Sequence, residues 1–284
     1  MKNNVKTAAL LAGLGGVCML IGSAWGTGGL MIGLIIGLVM TGGSYWFSDR
    51  LAIAASRAQP VTAAQAPEYH DIVARLSERA GIPMPRLYIA PNPQPNAFAT
   101  GRGPQNAAVC INAGLIDYLT WAEIEGVLAH ELSHVKNRDI LTQSVAAAIG
   151  QSITFIAQMA MWGSLFGGSS ADRDRDGGGI GSLFLIILGP IAAGVIQMAI
   201  SRSREYEADA SAARLIGDGE PLARALEKLE SGTKRIPAHV NPSMESSYIV
   251  SPLRGGDAGA KWFSTHPRTA DRVARLRSRE WAHS

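Results

Sequence analysis

From Thr7 to Ser48 the chain carries no Asp, Glu, Lys or Arg. No other feature constrains the fold as strongly. A helix crosses a bilayer core with roughly 20 apolar residues. The stretch therefore holds two crossings, Thr7–Trp25 and Gly28–Phe47, joined at Gly26-Thr27-Gly28-Gly29. Gly29, Gly33 and Gly37 recur every fourth residue, a spacing that lets two membrane helices approach closely. Trp25, Tyr45 and Trp46 sit at the span ends, where aromatic rings favour the interface. A cleaved leader with Lys2 and Lys6 as its basic region is the rival reading. The unbroken run into the second span disfavours it.

Two more apolar stretches follow, Ser144–Phe166 and Ile180–Ile200, separated by a hydrophilic Gly- and Asp-rich loop ending at Gly179. Their length and lack of charge predict a second membrane hairpin. The fold class expected is mainly α and integral to the membrane, with four transmembrane helices. The chain then divides into an N-terminal hairpin (1–49), a first polar part (50–143), a second hairpin (144–200) and a second polar part (201–284). Lys2, Lys6, Arg50, Arg57, Lys136, Arg138, Arg202 and Arg204 flank one set of span ends, whereas the connecting loops are uncharged or acidic. The positive-inside rule puts both termini and both polar parts in the cytoplasm.

Over the 284 residues only 17 % are charged, 47 % are apolar and the net charge is +3. That excludes a disordered chain, and so mild a charge is membrane-flanking rather than a nucleic-acid footprint. Two distant cysteines, Cys18 and Cys110, exclude a disulfide scaffold.

In the first polar part Glu68–Ala80 reads as an amphipathic helix with Ile72, Val73, Leu76 and Ala80 on one face, stopped by Gly81 and Pro83. Short strands are expected at Arg86–Ala90, Asn96–Thr100 and Ala107–Ile111, after a linker at Ser56–Pro67. Thr120 with Glu123 forms a capping-box pattern at the start of a helix running to about Asn137. In the second part Ser201–Arg214 and Glu220–Ser231 read as helices. A last, arginine-rich helix starts at Pro267 and presents a solvated or headgroup-facing surface.

The motif that carries chemistry is His130-Glu131-Leu132-Ser133-His134. Two His one turn apart on one helix face can bind a single Zn²⁺, with Glu131 beside the metal as general base. Catalytic zinc needs three protein ligands and an open position for water. With six His in the chain, the best third ligand is Glu205 of Glu205-Tyr206-Glu207-Ala208-Asp209. Asp209, one turn on, is placed to orient a ligand His, while Glu207 points to the opposite side. Asn96, Ala97, Phe98, Ala99 and Thr100 are expected to form an edge strand that pairs with extended substrate backbone.

Across nearly its whole length the chain resembles the HtpX membrane metalloproteases, related to the prenyl-protein endoproteases. The resemblance rests on Pro95–Gly101 (PNAFATG), His130–Asp139 (HELSHVKNRD), Ser201–Ala210 (SRSREYEADA) and Ser264–Pro267 (STHP). It implies a cytoplasmic, zincin-like α+β catalytic domain with a small sheet and one Zn²⁺ held by His130, His134 and Glu205. Glu131 would be its catalytic base. It places His266 near the cleft, as a second donor to the oxyanion. It implies an endopeptidase of the bacterial inner membrane that acts on membrane proteins in quality control under stress, with the bilayer and protein substrates as partners and no nucleic acid. One departure is Arg268 after Pro267, where many relatives carry a second Pro. Two rival classes are weaker. A non-catalytic zinc-binding chaperone or scaffold would need a fourth, closing ligand. A transporter would need ionisable groups in its spans.

Overall fold

The computed structural model describes residues 2–23, 26–145, 202–233, 248–250 and 267–282. Helices α1 (Lys2–Ser23) and α2 (Gly26–Ala55) form the expected N-terminal hairpin. A Cβ at Gly33 would collide with the Cys18 carbonyl oxygen and one at Gly37 would fall 3.1 Å from Gly15 Cα. Glycine is therefore what lets these two helices touch backbone to backbone. Thr41 Oγ1 adds a bond to the Leu11 carbonyl at 3.3 Å. Among the described helices only α2 is long and apolar enough to cross a membrane, through Gly26–Gly43. Met31, Ile35, Leu38 and Val39 face outward from it.

The hairpin does not stop at residue 49. Helix α2 continues for about one and a half turns because its last residues have something to pack on. Asp49 Oδ2 accepts a bond from Arg86 Nη2 at 2.7 Å, and Ala52 joins Ala58, Ala90, Phe98 and Cys110 in a small apolar cluster on one face of the sheet.

That sheet has the order β1-β2-β4-β3, with β1 Gln59–Pro60, β2 Arg86–Ala90, β3 Ala97–Gly101 and β4 Ala107–Asn112. Strands β2 and β4 run parallel, while β3 lies antiparallel to β4 and forms an edge, as expected for residues 96–100. The two-residue β1 falls inside the expected linker; it pairs Gln59 with Ile89 and Pro60 with Tyr88. The other face of the sheet carries the main core. Helix α3 (Pro67–Ala80) buries the expected stripe plus Tyr69, whose hydroxyl donates to the Val109 carbonyl at 3.1 Å. Gly81 ends it in the left-handed region at φ 68.

After a short helix α4 (Ala113–Tyr118), α5 (Trp121–Lys136) begins with the predicted capping box. Thr120 Oγ1 accepts from Glu123 N at 3.4 Å, and Glu123 Oε2 accepts from Thr120 N at 2.8 Å. Helix α5 is the core's central rod. It is flanked by α6 (Arg202–Ile216) and α7 (Glu220–Thr233), and α8 (Thr269–Ser278) packs against α6 and α7. At Gly126 a Cβ would come within 2.6 Å of Leu222 N, so this glycine sets how closely α7 crosses α5. Residues 140–145 are again helical. The expected second hairpin falls almost entirely on residues 146–200, which lie outside the described residues.

Candidate metal centre

Helix α5 turns His130, Glu131 and His134 inward, and all three are buried. Helix α6 brings Glu205 and Asp209 to the same place from its own buried face, while Glu207 points outward with 68 % of its side chain exposed. The result is a triangle of donor atoms. His130 Nε2 lies 3.2 Å from His134 Nε2. Glu205 Oε2 lies 3.6 Å from His130 Nε2, and Glu205 Oε1 lies 3.5 Å from His134 Nε2. Neighbouring ligands of a tetrahedral zinc with bonds of about 2.0–2.1 Å stand about 3.3 Å apart. The donor set and its spacing thus fit a divalent metal, and this is the one cluster of metal-ligating side chains of this kind among the described residues.

The outer nitrogen of each imidazole faces a carboxylate. His134 Nδ1 is 3.3 Å from Asp139 Oδ2. His130 Nδ1 is 2.9 Å from Asp209 Oδ1, short in distance but off the angle of a good hydrogen bond. Protons held on the two Nδ1 atoms leave both Nε2 lone pairs directed at the common centre. Asp139 reaches its place because α5 ends in a reversal. Arg138 adopts φ 58, and Asp139 N then bonds back to the His134 carbonyl at 2.9 Å.

The electrostatics agree with the donor set. Burial alone would lower His130, but the Asp209 and Glu205 carboxylates prevail and raise its pKa to about 9. A field that favours a proton on this imidazole also favours a bound cation. Asp209 is raised by burial, yet the Arg272 guanidinium outweighs that and holds it at about 2. Burial pushes the Glu131 carboxyl up, and the nearby His130 and His134 offset it only in part.

Glu131 sits beside the triangle rather than in it. Its Oε2 accepts a bond from the Ala99 amide at 2.9 Å. Strand β3 alternates, so the backbones of Asn96, Phe98 and Thr100 face β4 while those of Ala97, Ala99 and Gly101 face the free edge. Part of that edge is already used: Gly101 N donates to Ser144 Oγ at 3.2 Å. Among the described residues, the outward groups with no partner shown are those of Ala97 and the Ala99 and Gly101 carbonyls.

Two residues of the site, Asp139 and Arg272, are not evident from motif spacing. Arg272 of α8 is 1 % exposed. Its Nε and Nη2 clasp both oxygens of Asp209 at 2.8 and 2.7 Å, and Nη1 donates to the Ile249 carbonyl at 2.7 Å. Nη1 also lies 4.0 Å from Glu205. The available signal was register: Arg272 shares the buried face of α8 with Val273 and Leu276, so this one arginine of a basic helix had to point inward. His266 lies outside the described residues.

The sequence pattern of peptidase family M48 matches residues 63–280, which takes in every group of this centre. The chain belongs to peptidase family M48. Among its relatives, the protease HtpX homolog of Pelotomaculum thermopropionicum is 49 % identical over 276 residues, covering 96 % of this chain and 98 % of that protein. The HtpX homolog of Syntrophobacter fumaroxidans is 50 % identical over 282 residues, covering 98 % and 100 %. A solved structure, Ste24p of S. mikatae, is similar with a TM-score of 0.49 at 20 % identity; the match takes in 97 % of this chain and 65 % of that longer one. This M48 peptidase is a membrane metalloprotease, with the described His/His/Glu triangle as its candidate metal centre.

Proposed function

We propose that this M48 peptidase is a zinc endopeptidase of the bacterial inner membrane that cleaves misfolded or damaged membrane proteins at cytoplasmic segments, in quality control under stress. The observation that carries the chemistry is the triangle of two Nε2 atoms and one carboxylate with Glu131 held alongside on the Ala99 amide. His130, His134 and Glu205 would hold one Zn²⁺. When bound, zinc would polarise the scissile carbonyl and acidify its water. Glu131 takes the proton from that water and returns it to the leaving amine. Asp209 and Asp139 keep the two imidazoles in register. The outward backbone of Ala97 and Ala99 aligns the substrate chain, and main-chain pairing of this kind tolerates many side chains. His266, which the resemblance to the HtpX family places near the cleft, is assigned to the oxyanion. The cytoplasmic placement rests on the Lys and Arg flanking α1, α2 and the polar parts.

Metal analysis of purified variants tests the ligand assignment. Glu205→Ala is expected to lose zinc and proteolysis together, whereas Glu207→Ala keeps both, since its carboxylate faces solvent. Equal zinc in wild type and Glu205→Ala would overturn the assignment.

A further inference from the structure

The catalytic groups are held at a fixed height above the apolar length of α2. The unbroken apolar run of α2 ends at Trp46 and Phe47, 58 % and 50 % exposed; Asp49 and Arg50 follow, with Leu51 the one exposed large apolar side chain of α2 beyond them. Just past that boundary the Asp49–Arg86 pair and the cluster holding Ala52 and Phe98 fasten α2 to the sheet. At the other end of β3 the Arg102 guanidinium lies 4.5 Å from the centre of the Trp46 ring. Strand and helix therefore run side by side, with Phe98 near the turn of Ala52 and Arg102 at Trp46. From Trp46 to Ala52 a helix advances about 9 Å, and from Arg102 to Phe98 a strand advances about 13 Å. Arg102 thus lies nearer the apolar run of α2, and Phe98 farther from it. A second fastening sits at the same end: Thr100 Oγ1 meets Ser144 Oγ at 2.8 Å, and Thr142, one half-turn away, meets Thr7 of α1 at 3.1 Å. Glu131 is held at the Ala99 amide, three residues up the strand from Arg102, a rise of about 10 Å.

We propose that this peptidase measures its cut from the membrane: it selects extended segments directly flanking a transmembrane helix and cleaves them within about six residues of the bilayer boundary. The inference rests on the proposed function, in which α2 spans the bilayer with Trp46 at its surface and Glu131 is the reacting carboxylate. An extended chain gains about 3.3 Å per residue, so one leaving the bilayer beside Trp46 draws level with Glu131 after about three or four residues. Ser144 takes the Gly101 amide and Glu131 the Ala99 amide, so the first outward amide left along β3 from this end is that of Ala97. A segment farther from the anchor reaches the same point only by closing a loop. Lengthening that loop from about 5 to about 30 residues lowers the chance of closure roughly fifteenfold. Distance from the membrane then selects the site where side chains do not.

The test uses the full-length enzyme and a single-span substrate in vesicles of phosphatidylcholine and phosphatidylglycerol. The substrate carries a flexible Gly/Ser tail in which one cleavable block is placed about 5, 15 or 30 residues from the helix end. The same block is also supplied as a free peptide. The expected result is cleavage roughly tenfold faster at the near placement than at the far one. A Trp46→Ala, Arg102→Gln variant should flatten that gradient while cutting the free peptide at the wild-type rate. Equal rates at all placements, faster cutting at the far placement, or cutting of the free peptide alone would overturn the membrane-measured cut. An enzyme that cuts neither the free peptide nor any anchored one would overturn the proposed function itself.

Discussion

Glu131→Gln is expected to lower turnover by about 10²-fold or more while leaving metal content unchanged. Glu131 is buried beside His130 and His134, but the donor triangle is complete without it. Glutamine has nearly the same shape, and its amide oxygen can still accept from the Ala99 amide, which holds the carboxylate at 2.9 Å. What glutamine cannot do is take a proton from the attacking water. Fold and metal should therefore survive and only the base be lost. Steady-state cleavage of an unfolded protein, with metal analysis of the same sample, reads both quantities. Activity within roughly tenfold of wild type would show that another group serves as the base.

Arg272→Met should be the most destabilising single change at the site. The arginine is fully enclosed, donates to both oxygens of Asp209 and to the Ile249 carbonyl, and lies 4.0 Å from Glu205. Without it two carboxylates remain buried together, uncompensated on that side. Breaking a buried pair by removing one partner costs about 3–5 kcal/mol. Arg272→Lys should recover only part of this, because an ammonium cannot make the two-pronged contact. Adding Asp209→Asn to Arg272→Met should recover part of the loss as well, since it removes the stranded charge. Thermal unfolding of the purified variants in detergent reads the order. An Arg272→Met enzyme as stable as wild type would show that the clasp contributes nothing.

Where a local rule acted alone, the sequence was enough. The capping box at Thr120 and Glu123, the buried stripe of α3 and the inward face shared by His130 and His134 follow from spacing on one helix. Glu205 and Asp209 were legible for the same reason, one turn apart on α6. What was hidden depends on partners distant in the chain. Helix α2 runs on to Ala55 because Arg86 and Phe98 wait for it, and no pattern within residues 49–55 announces them. The Gln59–Pro60 strand exists only as a partner of β2. Asp139 lay inside the matched motif, but its contact with His134 needs the left-handed turn at Arg138, a conformation that arginine rarely signals. Arg272 belongs to an arginine-rich helix whose composition reads as solvated surface, and only its register with Val273 and Leu276 turns it inward.

In the proposed function two imidazoles and Glu205 hold a zinc ion on which proteolysis depends, with Glu131 as the base. Zinc content and cleavage of an unfolded protein, measured on one purified preparation before chelation, after it and after zinc is returned, test that claim most directly. The account predicts one zinc per chain, cleavage that disappears with the metal and returns with it, and a Glu131→Gln enzyme that binds zinc throughout and stays silent. A metal-free chain that cleaves at the wild-type rate would contradict it.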